Sequence, residues 1–354
     1  MMNEKRLYLD IHAIQTLPPS NVNRDDTGSP KTAVYGGVRR ARVSSQSWKR
    51  AMRQYFLEES AEDLGIRSLN VIQYLADRIL AVDNSVTEET ALKMADKVFN
   101  DAGIKTKDQK TKALFFIGKK QADRLAEAAV SGKTEKEQLK RIFCDNPAID
   151  IALFGRMVAD DPSFNEDASA QVAHAISTHE VKTEFDYYTA VDELAPEDNA
   201  GAGMLGTIEY NSSTLYRYAN IALHDLSKQL GSKEQAIAAA KLFIQAFANS
   251  MPTGKSNTFA NQTLPQMLMI NIRQDRPVNL VTAYEKPVKS TEGNVVPSIK
   301  KLFDEVSKTE KYVQTPVKTI YVASDDIVKP EWATEEDNLA SLVSDFANVA
   351  EELL

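Results

Sequence analysis

Between about residues 59 and 180 the sequence carries one helix-period pattern after another, and strand-like segments stand on both sides of this block. The helical signals are SLNVIQYLADRILAV, TEETALKMADKVFNDAG, KTKALFFIGKKQADRLAEAAV and EKEQLKRIFCD, with no strand-period pattern between them. Before the block, Leu7, Leu9, Ile11 and Ala13 alternate with Tyr8, Asp10 and His12, which predicts a half-buried strand. After it, FDYYTAV (185–191), QMLMINIR (266–273) and KTIYVAS (318–324) read as further strands. Helices are expected around 233–250, 296–313 and 334–354. Strands so far apart can share a sheet only if the block is set aside as an insertion. The expected class is α+β, with a helical subdomain inserted into a sheet-bearing body.

The 354 residues, 43% of them hydrophobic, suffice for a large core or for two to three smaller ones. No apolar run approaches the ~20 residues of a membrane span. MMNEKRLYLD lacks the features of a signal peptide. Cys144 is the only cysteine, which excludes an intramolecular disulfide and a cysteine metal cluster within one chain. A cytoplasmic protein without membrane contact is the simple expectation.

Charge is distributed unevenly. Residues 23–53 hold eight basic residues against Asp25 and Asp26, a local charge of +6 in a chain of net charge −8. The remainder therefore carries about −14, so any polyanion contact must be local. Ser44 and Ser45 are good N-caps for the helix WKRAMRQYFLEE. At about 100° per residue, Gln46, Lys49, Arg50 and Arg53 share one arc, and Trp48, Ala51, Met52, Tyr55 and Phe56 the opposite one. Such a helix packs one face and offers cations and free N–H groups with the other. Before it, Tyr35-Gly36-Gly37 permits close backbone approach, and Arg39–Val43, including Arg42, reads as a strand. A single basic helix face is more often merely solvated. Three basic elements within about thirty residues of an acidic chain favour a binding site.

Other chemistry is weakly supported. PTGKSNT (252–258) has Asn249 where a Walker A glycine is required, so Lys255 belongs to a basic turn or a nucleic-acid contact rather than an NTP site. His174 and His179 are five apart, the wrong spacing for a helical metal pair, and His12 and His224 are isolated. Nothing accompanies Cys144 as a base, and there is no GxSxG elbow. No metal or other cofactor is therefore expected. Asp25 and Asp26 are the acids best suited to bind a divalent ion or cut a phosphodiester, but turn formation explains adjacent aspartates more simply. The glycine-bearing segment 192–214 is expected to be a projecting hairpin or a surface loop.

One resemblance covers nearly the whole chain. NRDD followed by a lysine, YGG (35–37), RRAR (39–42) and SSQSWKRAMR (44–53) are similar to the N-terminal signature of the CasC family. DIALFGRM (150–157), VAHAISTHEV (172–181), FDYYTAVDEL (185–194), LGT (205–207), LYRYANI (215–221), PTGKSNTFA (252–260) and AYEKPVK (283–289) continue the match. That family is the repeated backbone subunit of the type I-E CRISPR complex Cascade. The resemblance implies a hand-like fold with a modified RRM (ferredoxin-like) palm at 1–58, 181–191 and 215–354. Helical fingers would occupy 59–180, and a β-hairpin thumb 192–214. It further implies a non-catalytic ribonucleoprotein scaffold for antiviral defence. Copies would stack head to tail along CRISPR RNA, beside other Cascade subunits, and present the guide to target DNA. By the same resemblance Arg24, Lys31, Arg42, Ser44, Gln46, Lys49, Arg53 and Lys255 grip the guide. Met157 wedges beside a kink, and Leu205 and Thr207 stand near a displaced nucleotide. The competing expectation is a metal-dependent RNA endonuclease of the type III backbone kind, using Asp25 or Asp26. The fingers lysines Lys105, Lys107, Lys110, Lys112, Lys119 and Lys120 read as a target-DNA surface or a solvated face.

Overall fold

The computed structural model describes residues 6–59, 64–158, 161–190, 193–194, 204–324 and 327–354. From the N-terminus, β1 (Tyr8–Ser20), β2 (Thr32–Tyr35) and β3 (Val38–Val43) precede α1 (Ser45–Glu59). A mainly helical module follows. It comprises β4 (Gly65–Ser68), α2 (Val71–Val82), α3 (Glu88–Ala102), β5 (Thr106–Lys107), β6 (Lys110–Thr111), β7 (Phe115–Gly118), α4 (Lys119–Val130), α5 (Lys136–Cys144) and α6 (Ile149–Phe154). The chain continues through β8 (Ala170–Val172), β9 (Ala175–Ser177), β10 (Glu184–Ala190) and the long β11 (Met204–Ala222). It closes with α7 (Leu223–Leu230), α8 (Lys233–Asn249), α9 (Ser256–Phe259), β12 (Met267–Arg273), α10 (Val295–Thr309), β13 (Lys318–Ala323), β14 (Thr334–Glu335) and α11 (Leu339–Leu353).

The main sheet runs β14-β13-β12-β1-β11-β9-β3-β2, with β8 and β10 also pairing β11. Apart from the parallel β13–β14 pair, the ladders are antiparallel. The expected α+β class is met. Leu9, Ile11 and Ala13 turn to one face and pack with Phe243 of α8 and Phe346 of α11. The helical module has its own core around Leu75, Phe99, Phe115, Leu125 and Phe143. Among the described residues no helix is long and apolar enough to cross a membrane.

Three sequence expectations need correction. β1 is not half-buried: Asp10 and His12, on its polar face, are both fully covered. Residues 280–284 and α10 pack over that face with Tyr216, Tyr218 and Leu302. Burying such groups is costly without partners. Tyr218 Oη donates to Asp10 at 2.7 Å, the Val278 N–H donates at 2.9 Å, and His12 Nδ1 lies 2.9 Å from Tyr216 Oη. Second, strands interrupt the expected helical block: β4 pairs with β7 and β5 with β6, while β8 and β9, also within 59–180, join the main sheet. FFIG in β7 is wholly buried, and so short an apolar run shows no period that separates strand from helix. Third, 334–354 is not one helix. Thr334 and Glu335 pair with Ile320 and Tyr321, and α11 starts after Asn338, whose side chain accepts the Ser341 N–H at 2.9 Å.

FDYYTAV forms a strand, and that strand is the first arm of a hairpin. β10 pairs with the first part of β11 from Glu184↔Tyr210 to Ala190↔Met204, and every residue of β10 is exposed. Gly201 and Gly203, expected in that hairpin's loop, lie outside the described residues.

Candidate nucleic-acid interface

Helix α1 begins as its sequence dictates. The Ser44 carbonyl accepts the N–H groups of Ser47 and Trp48 at 3.0 and 3.2 Å, and its hydroxyl accepts the Ser47 N–H at 3.4 Å. Trp48, Ala51, Met52 and Phe56 are buried, while Gln46 and Arg50 are exposed. The cationic arc is not uniform. Arg50 turns to one flank of the helix, beside Ser47 and Gln54. Lys49 turns towards α6, its ammonium 5.5 Å from the Phe154 ring centroid, and burial pulls its pKa down.

The segment before α1 is knitted to the helix start by backbone bonds. Asn23 Oδ1 accepts the Ser44 N–H at 2.8 Å, and the Asn23 carbonyl accepts the Lys31 N–H at 2.9 Å. The Lys31 carbonyl accepts the Arg42 N–H at 2.9 Å. Lys31 and Ser44, separate in sequence, thus both bond Asn23, and Arg42 joins them through Lys31. Arg42 Nη1 lies 3.1 Å from His174 Nδ1. Burial first, then Arg42 and Lys31, hold the His174 imidazole below its usual range. Asp25 is occupied locally. Its Oδ1 accepts from the Thr27 N–H, the Thr27 hydroxyl and the Ser29 N–H at 3.0, 2.7 and 3.0 Å, and these bonds lower its pKa. Arg24 and Asp26 are exposed in the same turn.

The glycine pair serves the hairpin. Gly36 and Gly37 have φ of +59° and +78°, as a two-residue turn between β2 and β3 requires. A Cβ on Gly36 would stand 1.7 Å from the Glu285 carbonyl oxygen, so the close approach is to this chain's own backbone. Gly254 is similar, its Cβ position being 2.0 Å from the Val22 carbonyl oxygen. The PTGK turn is thereby pressed onto the Asn21–Val22 backbone just past β1. A cleft of about 960 Å³ opens between that turn, the Arg24–Gly28 loop and the Arg50 flank of α1. Lys255 adjoins it in a left-handed conformation, φ +52°, at the start of α9.

The other expected contacts lie elsewhere. Arg53 reaches α6: its Nε is 2.9 Å from Asp150 Oδ2, an Nη donates to the Gly65 carbonyl at 3.0 Å, and the guanidinium stands 4.5 Å from the Phe116 ring centroid. Burial pushes the Asp150 carboxyl up despite Arg53 beside it. Met157 is 83% exposed. Its neighbour Arg156 is buried, bonding the Phe116, Phe143 and Phe164 carbonyls and directing the chain outward. Leu205 and Thr207 lie on β11, opposite Thr189 and Tyr187. Opposed residues share a face. Leu205, Tyr187 and Phe185 accordingly form an exposed apolar strip with Thr207 among them. Among the described residues no three His, Cys, Asp or Glu side chains converge to hold a metal ion.

Sequence reasoning missed two arginines. Arg40 was counted with the surface charge, yet it is fully buried and donates to the carbonyls of Tyr35, Ser177 and Tyr284. Arg217 in LYRYANI is also buried, against Trp48. For Arg217 the available signal was an arginine inside an otherwise strand-like run; Arg40, between Arg39 and Arg42, had none.

Comparison with known proteins finds chains of the same overall fold. A solved chain described as "CRISPR RNA-guided surveillance complex, pre-nicking" is 31% identical and superposes with a TM-score of 0.86, covering 97% of this chain and all of that one. A second, described as "CRISPR RNA-guided surveillance complex", is 27% identical with a TM-score of 0.76, over 97% of this chain and 99% of that one. No curated protein matches the chain. The model of the Cas family described as "CT1975-like protein" matches residues 9–345, and the chain belongs to that family.

Proposed function

We propose that this protein is an RNA-gripping backbone subunit of a CRISPR surveillance complex of the type I-E (Cascade) kind, a scaffold without a catalytic centre of its own. The observation that carries the reading is the convergence of the Arg24–Gly28 loop, the Arg50 flank of α1 and the PTGK turn around one cleft, which sets Arg24 and Arg50 beside Asp25, Asp26 and Glu58. A scaffold must accept any guide sequence, so it should hold phosphate and sugar and leave base edges free. Arginine, lysine, a helix N-terminus and small polar side chains suit that task. The main sheet is read as a modified RRM palm, the helical module as fingers and the β10–β11 hairpin, which takes 184–190 from the segment expected in the palm, as a thumb. The covered aromatic face of β1 and β11 supports a grip at the sheet's margin rather than across it. Copies would stack head to tail along the guide, in the cytoplasm, with other subunits and target DNA as partners. The local bonds of Asp25 support turn formation over catalysis.

The test is purification with a co-expressed guide. Uniform guide-length RNA in a large particle is expected, and protein free of RNA would overturn the reading. Incubating the particle with complementary RNA and magnesium should leave that RNA intact. Regular cuts abolished by Asp26→Ala would replace the scaffold with a nuclease.

A further inference from the structure

Arg217 sits in β11 and is 1% exposed, yet among the described residues no carboxylate pairs with it. Its two terminal nitrogens donate to Gln15 Oε1 at 2.5 Å and to the Phe247 carbonyl at 2.6 Å. The guanidinium carbon stands 3.6 Å from the Trp48 ring centroid and 4.3 Å from that of Phe247. A buried cation without a counter-ion is costly, and an apolar side chain of similar size would serve packing as well. What it adds is direction: a planar fork bonds in its plane and stacks above and below it, which lysine cannot do.

The contacts lead to both sides of the cleft. Trp48 belongs to α1. Gln15 donates through Nε2 to the Thr263 carbonyl at 2.7 Å and to the Met251 sulfur at 3.2 Å. Met251 and Thr263 bracket the PTGK turn and α9. We propose that Arg217 is a positioning residue for guide binding: by stacking on Trp48 and reaching the 251–263 segment through Gln15, it sets the spacing of the α1 and 251–263 walls of the cleft. Only the functional half of this statement rests on the RNA-gripping reading.

The test uses the full chain with Arg217→Gln and Gln15→Leu, read by amide hydrogen exchange without RNA and by guide-length RNA binding across salt. Arg217→Gln should speed exchange about tenfold in both α1 and 251–263, with β12 and β13 unchanged. Gln15→Leu should speed it in 251–263 alone. Both should weaken RNA binding about tenfold while keeping the parent's salt slope, because no phosphate contact is lost. Exchange equal to the parent's in both segments overturns the proposal. So does a rise spread equally through β12 and β13, which marks general destabilisation, or a slope reduced by about one unit, which marks a direct phosphate contact. If Arg217→Gln does not fold, Gln15→Leu decides through exchange at 251–263. A parent that binds no RNA while the exchange pattern holds overturns the RNA-gripping reading and leaves the coupling standing.

Discussion

Arg53 separates a gripping role from a structural one most sharply, because the resemblance assigns it to guide RNA and the structure commits it elsewhere. Its partner Asp150 is only 1% exposed, and its remaining side-chain bond is from the Gly65 N–H at 2.9 Å. Arg53→Ala would strand that carboxylate. Breaking a buried ion pair by removing one partner costs about 3–5 kcal/mol. The Arg53 side chain is 27% exposed and water can partly replace it, so the low end, about 3 kcal/mol, is expected. Adding Asp150→Asn removes the stranded charge, and the double variant should recover at least about 1 kcal/mol relative to the sum of the single effects. Urea unfolding followed by fluorescence measures this, since Trp48 lies in the same helix as Arg53. RNA binding of Arg53→Ala, measured well below its unfolding midpoint, should keep the parent's salt slope. A cost below about 1 kcal/mol together with a slope reduced by about one unit would refute the structural assignment and return Arg53 to the phosphate contacts.

Lys49→Ala should weaken binding to unrelated guides equally and lower the salt slope by about one unit, since Lys49 is a partly desolvated cation that pairs with no carboxylate among the described residues; spacer-dependent losses in filter binding would contradict this. Gly254→Ala should displace the PTGK turn, because its Cβ would sit 2.0 Å from a backbone oxygen; reduced RNA affinity with little change in the salt slope is the expected titration result. Acid stability should respond to Asp10 and His12 in opposite senses. His12 is held neutral, its pKa pulled down to about 3 by burial, so it binds fewer protons folded than unfolded and its contribution falls as pH drops below its ordinary 6.5. Asp10, pushed up to about 7 by burial, binds more protons folded, and its contribution falls as pH rises from 3.8 to 7. The two slopes offset between pH 3.8 and 6.5. Asp10→Asn should therefore steepen the loss of stability between pH 6.5 and 4 by up to about 1.4 kcal/mol per pH unit, and unfolding curves at stepped pH that stay parallel to the parent's would count against it.

The parts legible in the sequence were those fixed by local rules. Ser44 capping, the Trp48–Phe56 face and the strands at 267–273 and 318–323 follow from periodicity and backbone preference. What escaped was set by tertiary partners. Arg40 and Arg53 look like surface cations until Tyr284 and Asp150, distant in sequence, are placed beside them. Asp10 and His12 look solvent-facing until residues 280–284 and α10 cover them. Lys31, Arg42 and Ser44 could be suspected together through the family resemblance, but the hydrogen bonds by which Asn23 of the NRDD motif holds Lys31 and Ser44 are tertiary and cannot be read from the motif itself.

β11 has a mechanical consequence. It is a single 19-residue strand, roughly 60 Å long at about 3.4 Å per residue, which starts in the exposed hairpin and ends paired along β1. β11 is continuous from the part beside β10 to the part anchored in the sheet, and the only irregularity at the junction among the described residues is a register shift against β1 between Leu17↔Ser213 and Ser20↔Asn211. The arm therefore behaves as a cantilever rather than a hinged flap. A load on its outer end is carried as bending moment into β1 and the core beneath it, and reach is gained by moving the whole body.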